Sequence, residues 1–161
     1  MKSHWEAVVG GLAGGLVSSL AMAAAERSGR FYPTLAEASE DYLDRTMNTR
    51  EWAGERGTAA MEQANHMTAS AALGYGYGVV RDLARDHAPD VPPAVLGAGY
   101  GAALYAVNIA GVSPVVGITE GERAAPMGQS AQRLGVHVVW GVTAALVADV
   151  LERRTQPTRR H

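Results

Sequence analysis

The sequence predicts an all-α fold: one integral membrane domain over residues 1–161, built as a bundle of four transmembrane helices with a polar first loop carrying a short surface helix. Three observations predict it. The first is the absence of charge from long runs: nineteen positions between Glu6 and Glu26, twenty-nine between Asp90 and Glu120, fifteen between Arg133 and Asp149, and fourteen from Met67 to Val80. About 20 helical residues cross a bilayer core. Two runs meet that length unaided, and two need an extension or a place inside a bundle. The second is the make-up of these runs, which are Ala, Gly and Val rather than Leu, Ile and Phe; the chain has nineteen Gly and one Phe. The third is spacing. Small residues recur four apart: Gly10 with Gly14, Gly11 with Gly15, Gly74 with Gly78, and Gly97 with Gly101. In water each Gly inside a helix costs about 1 kcal/mol relative to Ala. In a membrane, small-xxx-small faces let helix backbones approach closely. A glycine-rich soluble or secreted helical protein is the alternative.

The first helix is read as Trp5–Glu26. Lys2, the apolar stretch and Ala21-Met22-Ala23 also fit a cleaved signal peptide. The retained helix is preferred, because the later apolar segments need a membrane in either case. Residues 27–57 are the polar loop. From Glu26 to Glu62 there are eight acids and five arginines. Leu35–Asp44 reads as a short solvated helix capped by Thr34 after Pro33. Phe31, Tyr32 and Trp52 are placed to sit at headgroup level. The second helix is read as Thr58–Arg85, closed by the proline-rich turn Asp86–Pro93. The third is Ala94–Val112, with Pro114 stopping or kinking it and Ser113–Thr119 forming an interfacial or re-entrant turn. The fourth is Gly128–Arg153. Thr155–His161 is a basic tail expected to be disordered.

Composition excludes several functions. There is no Cys, so a disulfide framework, a thiolate metal site, an iron–sulfur cluster and a cysteine nucleophile are ruled out. A net charge of −2 gives no support for a nucleic-acid partner. Gly97-Ala98-Gly99-Tyr100-Gly101 lacks a preceding strand and the third-glycine spacing of a dinucleotide site. Ser18, Ser19 and Ser130 have no nucleophile elbow or partnered base. A non-enzymatic membrane protein is the expectation, acting as a homo-oligomer or accessory subunit, with the bilayer as its partner.

Several runs resemble a known family. They are Gly10-Gly11-Leu12-Ala13-Gly14-Gly15, His66 followed by Ala72-Leu73-Gly74-Tyr75-Gly76, and Tyr100-Gly101-Ala102-Ala103-Leu104. Gly111-Val112-Ser113-Pro114 and Leu134-Gly135-Val136-His137-Val138-Val139-Trp140-Gly141 complete the set. In this order they resemble the YagU-like family of bacterial inner-membrane proteins, over most of the chain outside the acidic loop. The resemblance implies a four-helix inner-membrane protein with a loose link to acid tolerance, and no catalytic residues. With four spans both termini share one side. Basic residues tie at seven on each side; the clustered tail arginines and the acidic first loop favour cytoplasmic termini.

Ionisable side chains inside spans are costly and point to function. His66, Ser70, Leu73 and Tyr77 share one face of the second helix. Arg133, His137, Trp140 and Ala144 share one face of the fourth. Counted from Glu62 and Ala131, the two histidines lie about 6 and 9 Å deep. Four readings are open. Each His can serve structure alone, bonding a neighbouring helix or a water. The two can form a proton-responsive pair, since facing imidazoles do not both charge cheaply. They can ligate a haem or other tetrapyrrole between them. Glu62 with His66 at i, i+4 can share a transition metal. No cofactor is the main expectation. Asn108, Arg133, Tyr77 and Glu62 are the supporting polar candidates, and Gly10, Gly14, Gly74, Gly78, Gly97 and Gly101 the packing candidates.

Overall fold

A computed structural model describes residues 4–29, 32 and 35–155. They are mostly helical, with no strand among the described residues. We number five helices. α1 is Trp5–Ser28 and α2 is Leu35–Met47. α3 is Thr49–His87. α4 is Pro93–Val116 and α5 is Met127–Thr155. Three of them, α1, α4 and α5, are long and apolar enough to cross a membrane. α3 is not, because Glu62, Gln63, Asn65 and His66 interrupt one half of it and Arg81 and Asp82 the other.

The glycine spacings place the helices. On α1, Gly10 and Gly14 lie about 100° around the axis from Gly11 and Gly15. The first pair meets α5: a Cβ on Gly14 would stand 2.7 Å from the Trp140 carbonyl oxygen, and one on Gly10 would strike the Ala144 carbonyl. The second pair meets α3: a Cβ on Gly15 would stand 2.6 Å from Ser70 Oγ, and one on Gly74 would stand 2.9 Å from the Gly11 Cα. Gly97 and Gly101 bring α4 onto Gly141 and His137 of α5 in the same way, and Gly78 faces His4. The order across the molecule is therefore α3, α1, α5, α4.

The interior is correspondingly small-chained. Ala7, Ala144, Ala145 and Ala148 are fully buried, Tyr77 is the largest fully buried side chain among the described residues, and Leu96 and Tyr100 pack against this cluster. The large aliphatics point outward instead: Leu20 is 71% exposed, Val107 61% and Val115 85%. That is the inverse of a water-soluble core and suits helices surrounded by lipid.

Several element ends differ from the sequence reading. α3 begins at Thr49, not Thr58, so residues 49–57 of the expected polar loop are helix as well. Gly54 breaks its path with φ 71° and ψ 176°, a conformation that only glycine adopts cheaply. α4 runs past Val112 through Pro114. Its turns widen into a π-helix over Tyr105–Val112, which relieves the clash of the proline ring with the carbonyl four residues back. Gly117, with φ 83°, then caps the helix, so Ser113–Val116 belongs to α4 rather than to a re-entrant turn. α2 extends to Met47, and its C-terminal half is tied down by Arg50, which binds Asp41 and Asp44 and also Glu55 of α3. Tyr32 exchanges two hydrogen bonds of 3.1 Å with the Gln132 side chain, and Trp52 is exposed. The expected roles of Phe31, Pro33 and Thr34, and of the tail beyond Thr155, lie outside the described residues; Thr155 itself is helical.

Candidate functional site: a cavity between the helices

Behind the glycine contacts, the helices part to leave a cavity of about 190 Å³. α3 contributes Glu62, His66 and Ser70; α5 contributes His137 and Trp140; the π-helical stretch of α4 contributes Asn108. Leu35, Ala36 and Ser39 of α2 close it at one end. The two histidines thus meet the same space. The π-helix matters here, since its widened turns set the direction in which Asn108 projects, and such widenings recur at functional sites.

His66 is held by the helix beside it, and His137 by its own. His66 Nε2 lies 3.3 Å from the Gly15 carbonyl and 3.5 Å from Ser18 Oγ. A carbonyl only accepts, so the neutral ring carries its hydrogen on Nε2 and leaves Nδ1 as an acceptor. His137 Nδ1 lies 2.8 Å from the Arg133 carbonyl one turn back. Its hydrogen is therefore on Nδ1, and Nε2 is the acceptor. Trp140 Nε1 donates to Ser70 Oγ at 3.3 Å, and Ser19 Oγ pairs with the Gln63 amide. The polar face of α3 is answered by α1 and α5 along this stretch.

Above the cavity is an open vestibule of about 670 Å³, lined by Glu37, Glu40, Asp41 and Glu120 against Arg50 and Arg133. Ile118 lines both spaces and stands between them. Burial pushes the Glu40 carboxyl above the usual range; Arg50 opposes this, and nearby Glu26, Glu55 and Asp41 add to it. At the boundary Glu122 accepts from Arg133 Nη1 and from the Tyr105 hydroxyl, both at 2.7 Å. The Tyr105 ring meets His137 edge-on at 5.9 Å.

The sequence candidates separate accordingly. His66, His137, Asn108 and Glu62 line one cavity. Arg133 borders the vestibule and is engaged by Glu122. Tyr77 shares a helix face with His66 but lines a different space, at the far end of the bundle, because eleven residues carry it about 16 Å along the axis. The sequence gives Glu122 no role and Tyr105 only that of a packing anchor. Their signal was an acid in the short loop just before the arginine-bearing helix. Among the described residues no group of three His, Asp or Glu is placed to hold a metal ion. No protein-family model matches the chain, and no curated protein or solved structure matches it either.

Proposed function

We propose that this chain is a small non-enzymatic protein of the bacterial inner membrane, with four spans and cytoplasmic termini, whose interhelical cavity is proton-responsive. One observation carries the reading: His66 and His137 open onto one cavity beneath an acidic vestibule. Histidine changes charge nearest neutral pH, and carboxylates at a cleft mouth concentrate cations, protons included. The titratable and charged groups around the pair are Glu62 on α3, Tyr105 on α4, Arg133 on α5 and Glu122 in the loop before it. Glu40 of α2 and Glu26 at the end of α1 lie within electrostatic reach of Glu62. The cavity volume is below the roughly 300–1,000 Å³ of pockets that enclose drug-sized ligands, which favours water and protons over a tetrapyrrole. The YagU-like resemblance, with its loose acid link, points the same way.

The four-span reading requires α3 to cross despite its polar residues. Its support is that Gln63 and His66 are met by α1 and Ser70 and Arg81 by α5, and that Tyr75, Val79 and Leu83 are exposed. The absence of native cysteine makes the test direct. Glu51→Cys and Ala88→Cys are expected to react with a membrane-impermeant maleimide from opposite sides of sealed vesicles. Reaction of both from one side would leave α3 outside the bilayer.

The proton response has its own readout. With Trp5 and Trp52 changed to Phe, the remaining Trp140 reports on the cavity it lines. Its emission is expected to change as the pH is lowered from neutral. His66→Gln and His137→Gln should each alter that titration, and the double substitution should abolish it. An emission that stays flat with pH, or titrates unchanged in the double variant, would refute the proposal.

A further inference from the structure

At the end of the bundle away from the vestibule, α3, α4 and α5 enclose a second space of about 230 Å³. Tyr77 and Arg81 form its inner wall, and Arg85 and Arg153 its rim. Tyr77 is fully buried and Arg81 is 7% exposed. Among the described residues the Tyr77 hydroxyl and the Arg81 Nε and Nη1 atoms have no hydrogen-bond partner. Buried donors in native proteins are almost always satisfied, so these unsatisfied atoms, on two residues that line one space, call for an acceptor.

The nearby carboxylates do not supply it. Glu152 is gripped by Arg85, with Nη1 donating to Oε1 at 2.7 Å, and its Oε2 stands 3.4 Å from Arg81 Nη1, within ion-pair range but without hydrogen-bond geometry. Asp149 also lines the space, and is paired with Arg153 at 2.9 Å. Arg81, Arg85 and Arg153 thus stand against Glu152, Asp149 and, within electrostatic reach of Arg85, Asp82. α4 brings a further positive end. It begins at Pro93, beside the space, with Pro92 before it and no side-chain cap on its first turn. The positive end of a 24-residue helix thus faces the same point.

We propose that Tyr77 and Arg81 bind a phosphate-type oxyanion here, with Arg85 and Arg153 at the rim. Every orphan is a donor, so the ligand is an acceptor. A phosphate offers several oxygens to a guanidinium edge and a hydroxyl at once. The volume is several times the ~30 Å³ share of one water, enough for a phosphate group. The headgroup of an anionic lipid and a free phosphate ion share this chemistry.

The test measures the thermal unfolding midpoint of the full chain in neutral detergent. The probes are phosphatidylglycerol in mixed micelles, inorganic phosphate, and phosphatidylcholine as the zwitterionic control. The midpoint is expected to rise with phosphatidylglycerol, with phosphate, or with both, and not with phosphatidylcholine. A response to phosphatidylglycerol alone identifies a lipid headgroup; a response to phosphate identifies a free-ion site. Tyr77→Phe removes one hydroxyl and keeps the packing, so it should fold, and should shift the half-maximal concentration upward about tenfold. Arg81→Gln should abolish the response. Arg56→Gln, at the other end of α3, should leave it unchanged. No midpoint rise with either anion, an equal rise with phosphatidylcholine, or an unaltered response in Tyr77→Phe would overturn the proposal.

Discussion

Replacing Gly141 with leucine is expected to separate α4 from α5 and cost about 3 kcal/mol or more of stability. A Cβ at Gly141 would strike the Gly97 carbonyl and stand 3.0 Å from the Gly101 nitrogen and 3.1 Å from the Gly101 Cα. These are backbone atoms of a helix, so no rotamer change makes room. The only relief is to move the helices apart. That movement would also lift Gly97 and Gly101 off α5 and forfeit the packing of Leu96 and Tyr100 against the buried alanines. Gly135, on the same helix, supplies the control, because nothing lies within 4 Å of the Cβ it lacks. Gly135→Leu should therefore fold, and Gly135→Ala should stabilise by a few tenths to about 1 kcal/mol through helix propensity. The measurement is reversible unfolding in detergent for all three variants. If Gly141→Leu and Gly135→Leu melt together, close approach at this crossing is refuted.

That prediction shows why much of the packing could be read in advance. A four-residue repeat of small side chains is a local pattern, and its meaning, that another backbone comes close, needs no knowledge of which one. The pairing itself was not legible. Gly10 and Gly11 are neighbours in sequence, yet one faces α5 and the other α3. The choice depends on a rotation of α1 that long-range contacts fix. Element ends in the polar region were misread for a different reason. Arg50, Glu51, Glu55 and Arg56 look like loop, but they form a helix whose bend at Gly54 lets Arg50 reach back to Asp41 and Asp44 of α2.

The candidate site was legible to the same degree. Helical spacing placed His66 and His137 at comparable depth, and they do open onto one cavity. Spacing also put Tyr77 on the His66 face, which is true of the wheel but not of the height. The i, i+4, i+8 series Tyr77, Arg81, Arg85 was the better signal, since it runs a phenol and two guanidiniums along one stripe at the helix end. What the sequence lacked was the partner for Arg133. Glu122 lies eleven residues earlier, across the loop that joins α4 to α5, and only the turn of that loop brings it within 2.7 Å.

Arg133→Ala is expected to destabilise by about 3–5 kcal/mol at neutral pH. The side chains of Arg133 and Glu122 are 9% and 14% exposed, so deleting the guanidinium leaves a carboxylate mostly removed from water with the Tyr105 hydroxyl in place of an ion pair. The effect should depend on pH, with a definite sign. Burial alone would push the Glu122 carboxyl up; hydrogen bonds from Ser130, Tyr105 and Arg133, together with the Arg133 charge, outweigh it and hold the carboxyl below its usual range. A depressed folded value contributes stability that is present above the unfolded value, near ~4.3, and lost as pH falls through the folded value. The gap between the wild type and Arg133→Ala should therefore be widest at neutral pH and close below about pH 4. Arg133→Met with Glu122→Gln should recover much of the loss, because no buried charge is then left unpaired, and a double-mutant cycle would give the coupling directly. A gap that does not change with pH would place the cost in packing rather than in the ion pair. The double variant also separates the two ends of the site: His137 is held by the Arg133 carbonyl, not by its side chain. The pH response of Trp140 should therefore survive in Arg133→Met/Glu122→Gln, and its loss there would make the ion pair, rather than the histidines, the group that the cavity answers to.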